Sequence, residues 1–277
     1  MTWWAIDVSS PTDERESLAA WLVTRTGQAV EERDDGILVS FALNESAADT
    51  LVAELSSLGR GGVTVSRRPI AEVDWANKWR EGLGPRSFGR LTVVPSWFEY
   101  RPRPGEVTLV LDPESAFGSG EHGSTRAALQ LLERHMAPGD FVLDFGSGSG
   151  ILSIGAALLG ASRAVGLEQD AESVEVSQRN ALANRVAERA LFFEADAGQF
   201  AILFAPANLV VSNILRSVNI ALLPEIWRAL HPGGIAIFSG MEATEAPEFR
   251  APLVAAGFEI VEEIIDAGWW AVAARRT

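Results

Sequence analysis

The chain has 277 residues, 47 % of them hydrophobic and 22 % charged. That is enough apolar material for one large domain or two ordinary ones, and too much for wholesale disorder. Acidic residues outnumber basic ones 37 to 23, a net charge of −14, which speaks against non-specific nucleic-acid binding and permits a basic protein partner. With no cysteine, disulfides, thiolate metal sites and a cysteine nucleophile are excluded.

Residues 1 to about 67 read as a small alternating unit. Trp3, Ile6 and Val8 mark a strand, and Ser10 or Thr12 is placed to cap a helix carrying Leu18, Leu22 and Val23 and stopped by Gly27. Strands follow at Gln28–Glu32 and Ile37–Phe41, joined by the hairpin signal Asp35-Gly36. A helix over Ser46–Leu58 and a strand over Val63–Ser66 close the unit. The order β-α-β-β-α-β is the ferredoxin-like one, which hosts many functions. Residues 1–65 hold 11 acids and 4 arginines, which reads either as a solvated surface or as a docking face for a basic protein. Residues 68–90 form a connector with Trp75 and Trp79 on one helix face, then a Gly/Pro break at Gly82, Gly84 and Pro85.

From residue 91 the pattern becomes strands alternating with longer helices. Strands are expected at Phe141–Asp144, Ala164–Leu167, Leu191–Phe193, Leu209–Ser212 and Ile235–Phe238. Helices follow the glycine-rich turn at 146–150 and are expected over Ala171–Ala183, Ile220–Leu230 and Glu248–Ala256. His231-Pro-Gly-Gly234 reads as a turn before its strand. Strands Phe258–Ile265 and Trp269–Ala274 are joined by a short turn and so should be antiparallel. Five parallel strands plus this hairpin give an α/β, doubly wound, seven-stranded Rossmann-like sheet over 91–277, with a small α+β unit before it.

Ligands of such sheets bind beyond the strand C-terminal ends. Gly146, Gly148 and Gly150 let the backbone approach a ligand, and the next helix offers N–H groups for a carboxylate. Glu168, closing the next strand, is placed to accept from two ribose hydroxyls. A dinucleotide site would read G-x-G-x-x-G. Here the loop is G-x-G-x-G, with Ile151 where that third glycine belongs. The three histidines, His122, His135 and His231, form no metal-type pair. No apolar run reaches membrane-span length, the first ten residues lack a basic n-region, and the reading is a cytoplasmic chain.

The D-x-G-x-G-x-G loop resembles that of class I S-adenosylmethionine-dependent methyltransferases. The stretch LDPESAFGSGEHGSTRAALQLLE (111–133) resembles the signature of the ribosomal protein L11 methyltransferase family, PrmA, in which a D-P-x-x-A-F-G-T-G-T-H-P-T-T run precedes a helix. The W-x-x-x-W connector, a V-P-S-W strand at Val94–Trp97, SNIL at Ser212–Leu215 and HPGG before FSG agree with it. The resemblance implies S-adenosylmethionine as cofactor, held by Thr125, Gly146, Gly148, Glu168 and Asn213. Asp196 is either an acceptor for the adenine amino group or a surface acid. It also implies a ferredoxin-like unit that docks a basic ribosomal protein, and methylation of lysine side chains or an N-terminal amine. The enzyme would be a monomer without nucleic-acid or membrane contact and without a metal. Phe117, Trp97, Asn213 and His122 are candidates for the acceptor pocket, with His122 either orienting the loop or acting as a base. Three departures stand out: Glu168 where the family has Asp, Glu121 for Thr, and Gly123-Ser124 for Pro-Thr. Glu121 is expected to add negative charge at the cleft mouth. Two other readings of the same scaffold are methylation of a different protein or small molecule, and cofactor binding without catalysis.

Overall fold

The computed structural model describes residues 3–26, 30–32, 36–59, 61–69, 84–111 and 120–277. The chain forms two compact units, residues 1–83 and 84–277. Gly27, Gln28, Asp35, Trp75, Trp79, Gly82 and Phe117 lie outside the described residues.

The first unit runs β1 (Trp4–Ser9), α1 (Thr12–Thr26), β2 (Glu31–Glu32), β3 (Leu38–Ala42), α2 (Glu45–Ser57) and β4 (Thr64–Pro69). Its antiparallel sheet has the order β2-β3-β1-β4, the ferredoxin-like arrangement. Ile6, Val8, Leu18, Leu22, Leu51 and Leu55 make its core. Thr12 is the first helical residue rather than the cap of α1. Ser10 Oγ is buried without a hydrogen bond among the described residues. α2 starts one residue earlier than expected because Asn44 caps it, accepting from the Ala47 N–H at 2.9 Å.

The second unit opens with a three-stranded sheet: β5 (Arg86–Phe88), β6 (Leu91–Val94) and β7 (Val107–Val110). β5 lies ahead of the expected domain start at 91. The expected V-P-S-W strand is corrected here. β6 ends at Val94, and Pro95 to Phe98 form a turn closed by the Phe98 N–H on the Pro95 carbonyl at 3.0 Å. Pro95 has no N–H to give to a ladder, so pairing stops there.

Then come α3 (Gly123–His135), β8 (Phe141–Phe145), α4 (Ile151–Leu159), β9 (Arg163–Glu168), α5 (Ala171–Ala183) and β10 (Ala190–Glu194). A one-turn helix α6 (Ala197–Phe200), β11 (Ala207–Asn213), α7 (Arg216–Ala229), β12 (Leu230–Glu242), α8 (Ala246–Ala255), β13 (Phe258–Asp266) and β14 (Trp269–Arg276) complete the unit. The sheet order is β10-β9-β8-β11-β12-β14-β13. The first five strands are parallel, and β14 runs antiparallel to both its neighbours. Helices cover both faces. Leu129, Val142, Ile151 and Leu209 belong to one buried cluster, and Phe145, Val210, Phe238, Phe249 and Trp270 to the other.

Two of the boundaries that differ from expectation have a clear local cause. α7 begins four residues before Ile220 because its first buried contact is polar: Asn219 donates to the carbonyls of Ile214 and Ser239 and accepts from Ser212 Oγ. His231-Pro-Gly-Gly234 is not a turn ahead of β12 but lies inside it. Leu230 pairs with Ala207 and Ile235 with Leu209, so the four residues bulge out of the ladder.

Candidate active site

The strand order reverses between β8 and β11, and the crevice beyond their C-terminal ends is where a ligand of such a sheet binds. A cleft of about 720 Å3 opens there. It is lined by Gly146 and Gly148 after β8, Glu168 at the end of β9, Asp196 after β10 and Asn213 at the end of β11. His122, Ser124, Ile214, Gly240 and Trp269 also line it. Gly146, Gly148, Glu168, Asp196 and Asn213, far apart in sequence, meet at one cavity because each ends a neighbouring strand or lies in the turn after it.

Glu168 is held by three backbone donors. Oε2 accepts from the Gly148 N–H at 3.0 Å, and Oε1 from those of Gln169 at 2.8 Å and Asp170 at 3.1 Å. The carboxylate therefore ties the glycine loop to the end of β9. A carboxylate has about four lone-pair sites, so capacity for a ligand hydroxyl remains. Gly150 does not line the cleft. It enters α4 with φ +82°, and a Cβ there would lie 2.7 Å from Phe192 Cζ and 2.9 Å from Ser177 Cβ. Its glycine serves packing and helix entry, while Gly146 and Gly148 line the cavity.

Asp196 lines the cleft and also caps α6, with Oδ1 accepting from the Gly198 N–H at 2.8 Å and Oδ2 from Gln199 Nε2 at 3.0 Å. Thr125 is fully buried and does not line the cavity. Its Oγ1 accepts from Asn213 Nδ2 at 3.2 Å, which fixes the amide of Asn213. Asn213 Oδ1 is buried with no partner among the described residues. Beside α3 it is Ser124, one residue earlier, that lines the cleft. Trp97 stands in the turn after β6 and does not line it either.

His122 Nδ1 lies 2.8 Å from Ser124 Oγ, and its ring packs against Trp269 with centroids 4.1 Å apart and the planes tilted by 57°. Burial, then the nearby Arg126 charge, holds the imidazole below its ordinary pKa and favours its neutral form. The expected charge of Glu121 at the mouth is corrected by the structure. Glu121 does not line the cleft, and its carboxylate meets Arg86 side by side, Nε on Oε1 at 2.7 Å and Nη2 on Oε2. Gly123 has its own reason: a Cβ there would lie 2.5 Å from the Asp266 carbonyl oxygen and 2.7 Å from Trp269 Cδ1. A proline ring has no room against this hairpin.

Beneath the glycine loop lies Asp144, wholly buried, with Oδ2 accepting from Ser153 Oγ at 2.8 Å. Burial pushes its carboxyl up to about 7. Among the described residues no three His, Asp or Glu side chains are grouped to hold a metal, and no helix is long and apolar enough to cross a membrane.

Ser124, Gly240 and Trp269 are not among the cleft residues expected from the sequence. Of these, Trp269 carried the clearest signal: it follows a two-residue turn joining two strands of the sheet.

A five-plus-two sheet of this order, with a glycine loop after its first strand and an acid at the end of its second, is the architecture of class I S-adenosylmethionine-dependent methyltransferases. The family model described as ribosomal protein L11 methyltransferase (PrmA) matches residues 3–277. The chain is 38 % identical over 245 residues to the ribosomal protein L11 methyltransferase of Pelotomaculum thermopropionicum, covering 88 % of this chain and 79 % of that protein. It is 41 % identical over 212 residues to that of Azotobacter vinelandii, covering 75 % and 70 %. A solved ribosomal protein L11 methylase from Lactobacillus delbrueckii subsp. bulgaricus matches with a TM-score of 0.64 at 29 % identity, over 70 % of this chain and 100 % of that one. The chain belongs to the ribosomal protein L11 methyltransferase (PrmA) family. It is an enzyme, a methyltransferase, and S-adenosylmethionine is its cofactor.

Proposed function

We propose that this enzyme methylates amine nitrogens of ribosomal protein L11, and that the cleft beyond β8, β9 and β11 is where it does so. The observation that carries the reading is the meeting of Gly148, Glu168, Asp196 and Asn213 at one cavity whose wall also includes His122 and Trp269. When bound, S-adenosylmethionine supplies a sulfonium-linked methyl group that a neutral amine displaces in line, so the protein contributes chiefly alignment. Glu168 accepts from the ribose hydroxyls, and Asp196 accepts from the adenine amino group. Asn213 Oδ1, fixed by Thr125 through Nδ2, accepts an N–H from the cofactor or the incoming amine and holds it in line. A lysine amine is protonated in water. The apolar and aromatic surface of Trp269 and Ile214 favours its neutral form. His122, whose neutral form is favoured, lines the cleft where it can take the proton that the nitrogen releases once methylated. The ferredoxin-like unit, with its excess of acids, docks the basic ribosomal protein. The enzyme works as a monomer in the cytoplasm, and its net charge of −14 keeps it off nucleic acid.

The test is incubation of the full-length enzyme with methyl-labelled cofactor and purified ribosomal protein L11, followed by peptide mass spectrometry. Label on lysine or N-terminal nitrogens, abolished in Asn213→Ala, is expected. Label on another atom type, or none on L11, overturns the reading.

A further inference from the structure

Four charged side chains next to the cleft, none of them lining it, form a continuous chain. Arg86 on β5 grips the Glu121 carboxylate. Arg126, in the first turn of α3, donates Nε to Asp266 Oδ2 at 3.0 Å and Nη2 to Oδ1, while its Nη1 donates to the backbone carbonyl of Glu121. Gln130 Nε2 adds a 3.4 Å contact to Asp266 Oδ2. Arg126 and Asp266 are only 18 % and 23 % exposed at the side chain, which sets the pair apart from surface ion pairs that contribute little. The Arg126 guanidinium holds the Asp266 carboxyl below its ordinary range.

What these groups fasten is informative. Glu121 precedes His122 in the chain. Asp266 precedes Trp269 across a two-residue turn, Ala267 and Gly268, both left-handed at φ 47° and 83°. His122 and Trp269 then pack on one another, ring planes tilted, at the cleft wall. Arg126 is the one member that holds both sides, the loop through a backbone carbonyl and the hairpin through a carboxylate. Resting on the reading of this cleft as the methyl-transfer site, we propose that Arg86, Glu121, Arg126 and Asp266 form a clasp that positions the His122–Trp269 pair, making Arg126 and Asp266 positioning residues for the reaction.

A role in stability alone is separable, because the same two elements carry a second ion pair away from the cleft. Arg134 in the last turn of α3 pairs with Glu262 on β13, which also bonds His135 Nε2 at 2.7 Å. Arg134→Gln is therefore the control.

The experiment uses the full-length protein and its Arg126→Gln, Asp266→Asn and Arg134→Gln variants. There are only three histidines, so imidazole signals in a proton–carbon correlation spectrum are assignable, with His122→Gln identifying that of His122. Ring current from Trp269 displaces the His122 signal in the unaltered protein. The displacement should collapse toward the free-imidazole position in Arg126→Gln and Asp266→Asn. Arg134→Gln should leave it in place while moving the His135 signal. In the same clasp variants kcat should fall by about ten- to a hundredfold, as for a small misplacement of aligned groups. Cofactor affinity should stay within about twofold, since no clasp residue lines the cleft. Arg126→Lys, which keeps the charge but loses the fork, should recover part of kcat. If Arg126→Gln does not fold, the milder Asp266→Asn decides alone. An unmoved His122 signal in a folded clasp variant overturns the clasp. A moved signal with unchanged kcat overturns its part in the reaction. Because the spectra need no turnover, failure of the clasp is distinguishable from failure of the methyl-transfer reading.

Discussion

Asp144→Asn offers a direct measurement of what burial does beneath the glycine loop. The carboxyl of Asp144 is lifted from an ordinary 3.8 to about 7, with burial the main cause and the Ser153 hydrogen bond opposing it. Between those values the folded protein keeps a proton that the unfolded chain has released, so stability falls as pH rises through this window. Each pH unit corresponds to about 1.4 kcal/mol. From pH 5 to pH 8 the group crosses about two units of that window, so the unaltered protein should lose about 2–3 kcal/mol relative to Asp144→Asn. Asparagine keeps an oxygen for Ser153 Oγ and carries no titrating charge, so the difference between the two proteins should be smallest below about pH 4, widen as pH rises and level off above about 7. Urea unfolding at several pH values, taken as the difference between the two proteins, isolates this group because the other groups titrate in both. A difference that stays flat from pH 5 to pH 8 would refute the argument that burial sets the protonation state of Asp144.

Glu168→Gln should weaken cofactor binding by about ten- to a hundredfold in calorimetry, because a hydrogen bond to a charged group is worth about 1.5–3 kcal/mol. An unchanged dissociation constant would remove Glu168 from the ribose seat. Gly240→Ala should destabilise by about 2–5 kcal/mol, combining a left-handed backbone with overpacking. At φ +86° its Cβ would lie 2.3 Å from the Ile214 carbonyl oxygen, and a melting temperature equal to that of the unaltered protein would contradict this.

Where local chemistry decides an element, the sequence was sufficient. α5 runs over Ala171–Ala183 as its pattern predicts, because Asp170 accepts from the Glu172 and Ser173 N–H groups and stops the chain from starting elsewhere. The closing hairpin was legible from its short turn. Elements shaped by long-range partners were not. The start of α7 depends on Asn219 bonding Ile214 and Ser239, and apolar periodicity carries no trace of a buried amide.

The site divides in the same way. Gly146, Gly148, Glu168, Asp196 and Asn213 each mark a strand end, so a correct strand assignment placed them all at the cleft. Thr125 and Ser124 are neighbours in sequence, but neighbours on a helix point about 100° apart. Only the packing of α3 shows that Ser124 faces the cavity and Thr125 backs Asn213. The charge of Glu121 is not legible from its neighbours because its partner Arg86 lies 35 residues earlier, on a strand that falls inside the expected connector.

One consequence of the sheet order concerns the timing of assembly. β14 follows β13 along the chain yet lies between β12 and β13 in space. During vectorial synthesis β12 keeps an open flank until residues 269–276 have left the ribosome, and β13 has no neighbour to join until then. Exposed flanks of this kind invite pairing with other chains. The same late strand begins with Trp269, so the wall it gives the cleft is not complete on a nascent chain. Completion of the cleft wall and closure of the sheet therefore arrive together, and a chain that stalls before residue 269 leaves both the β12 flank and the cleft unfinished.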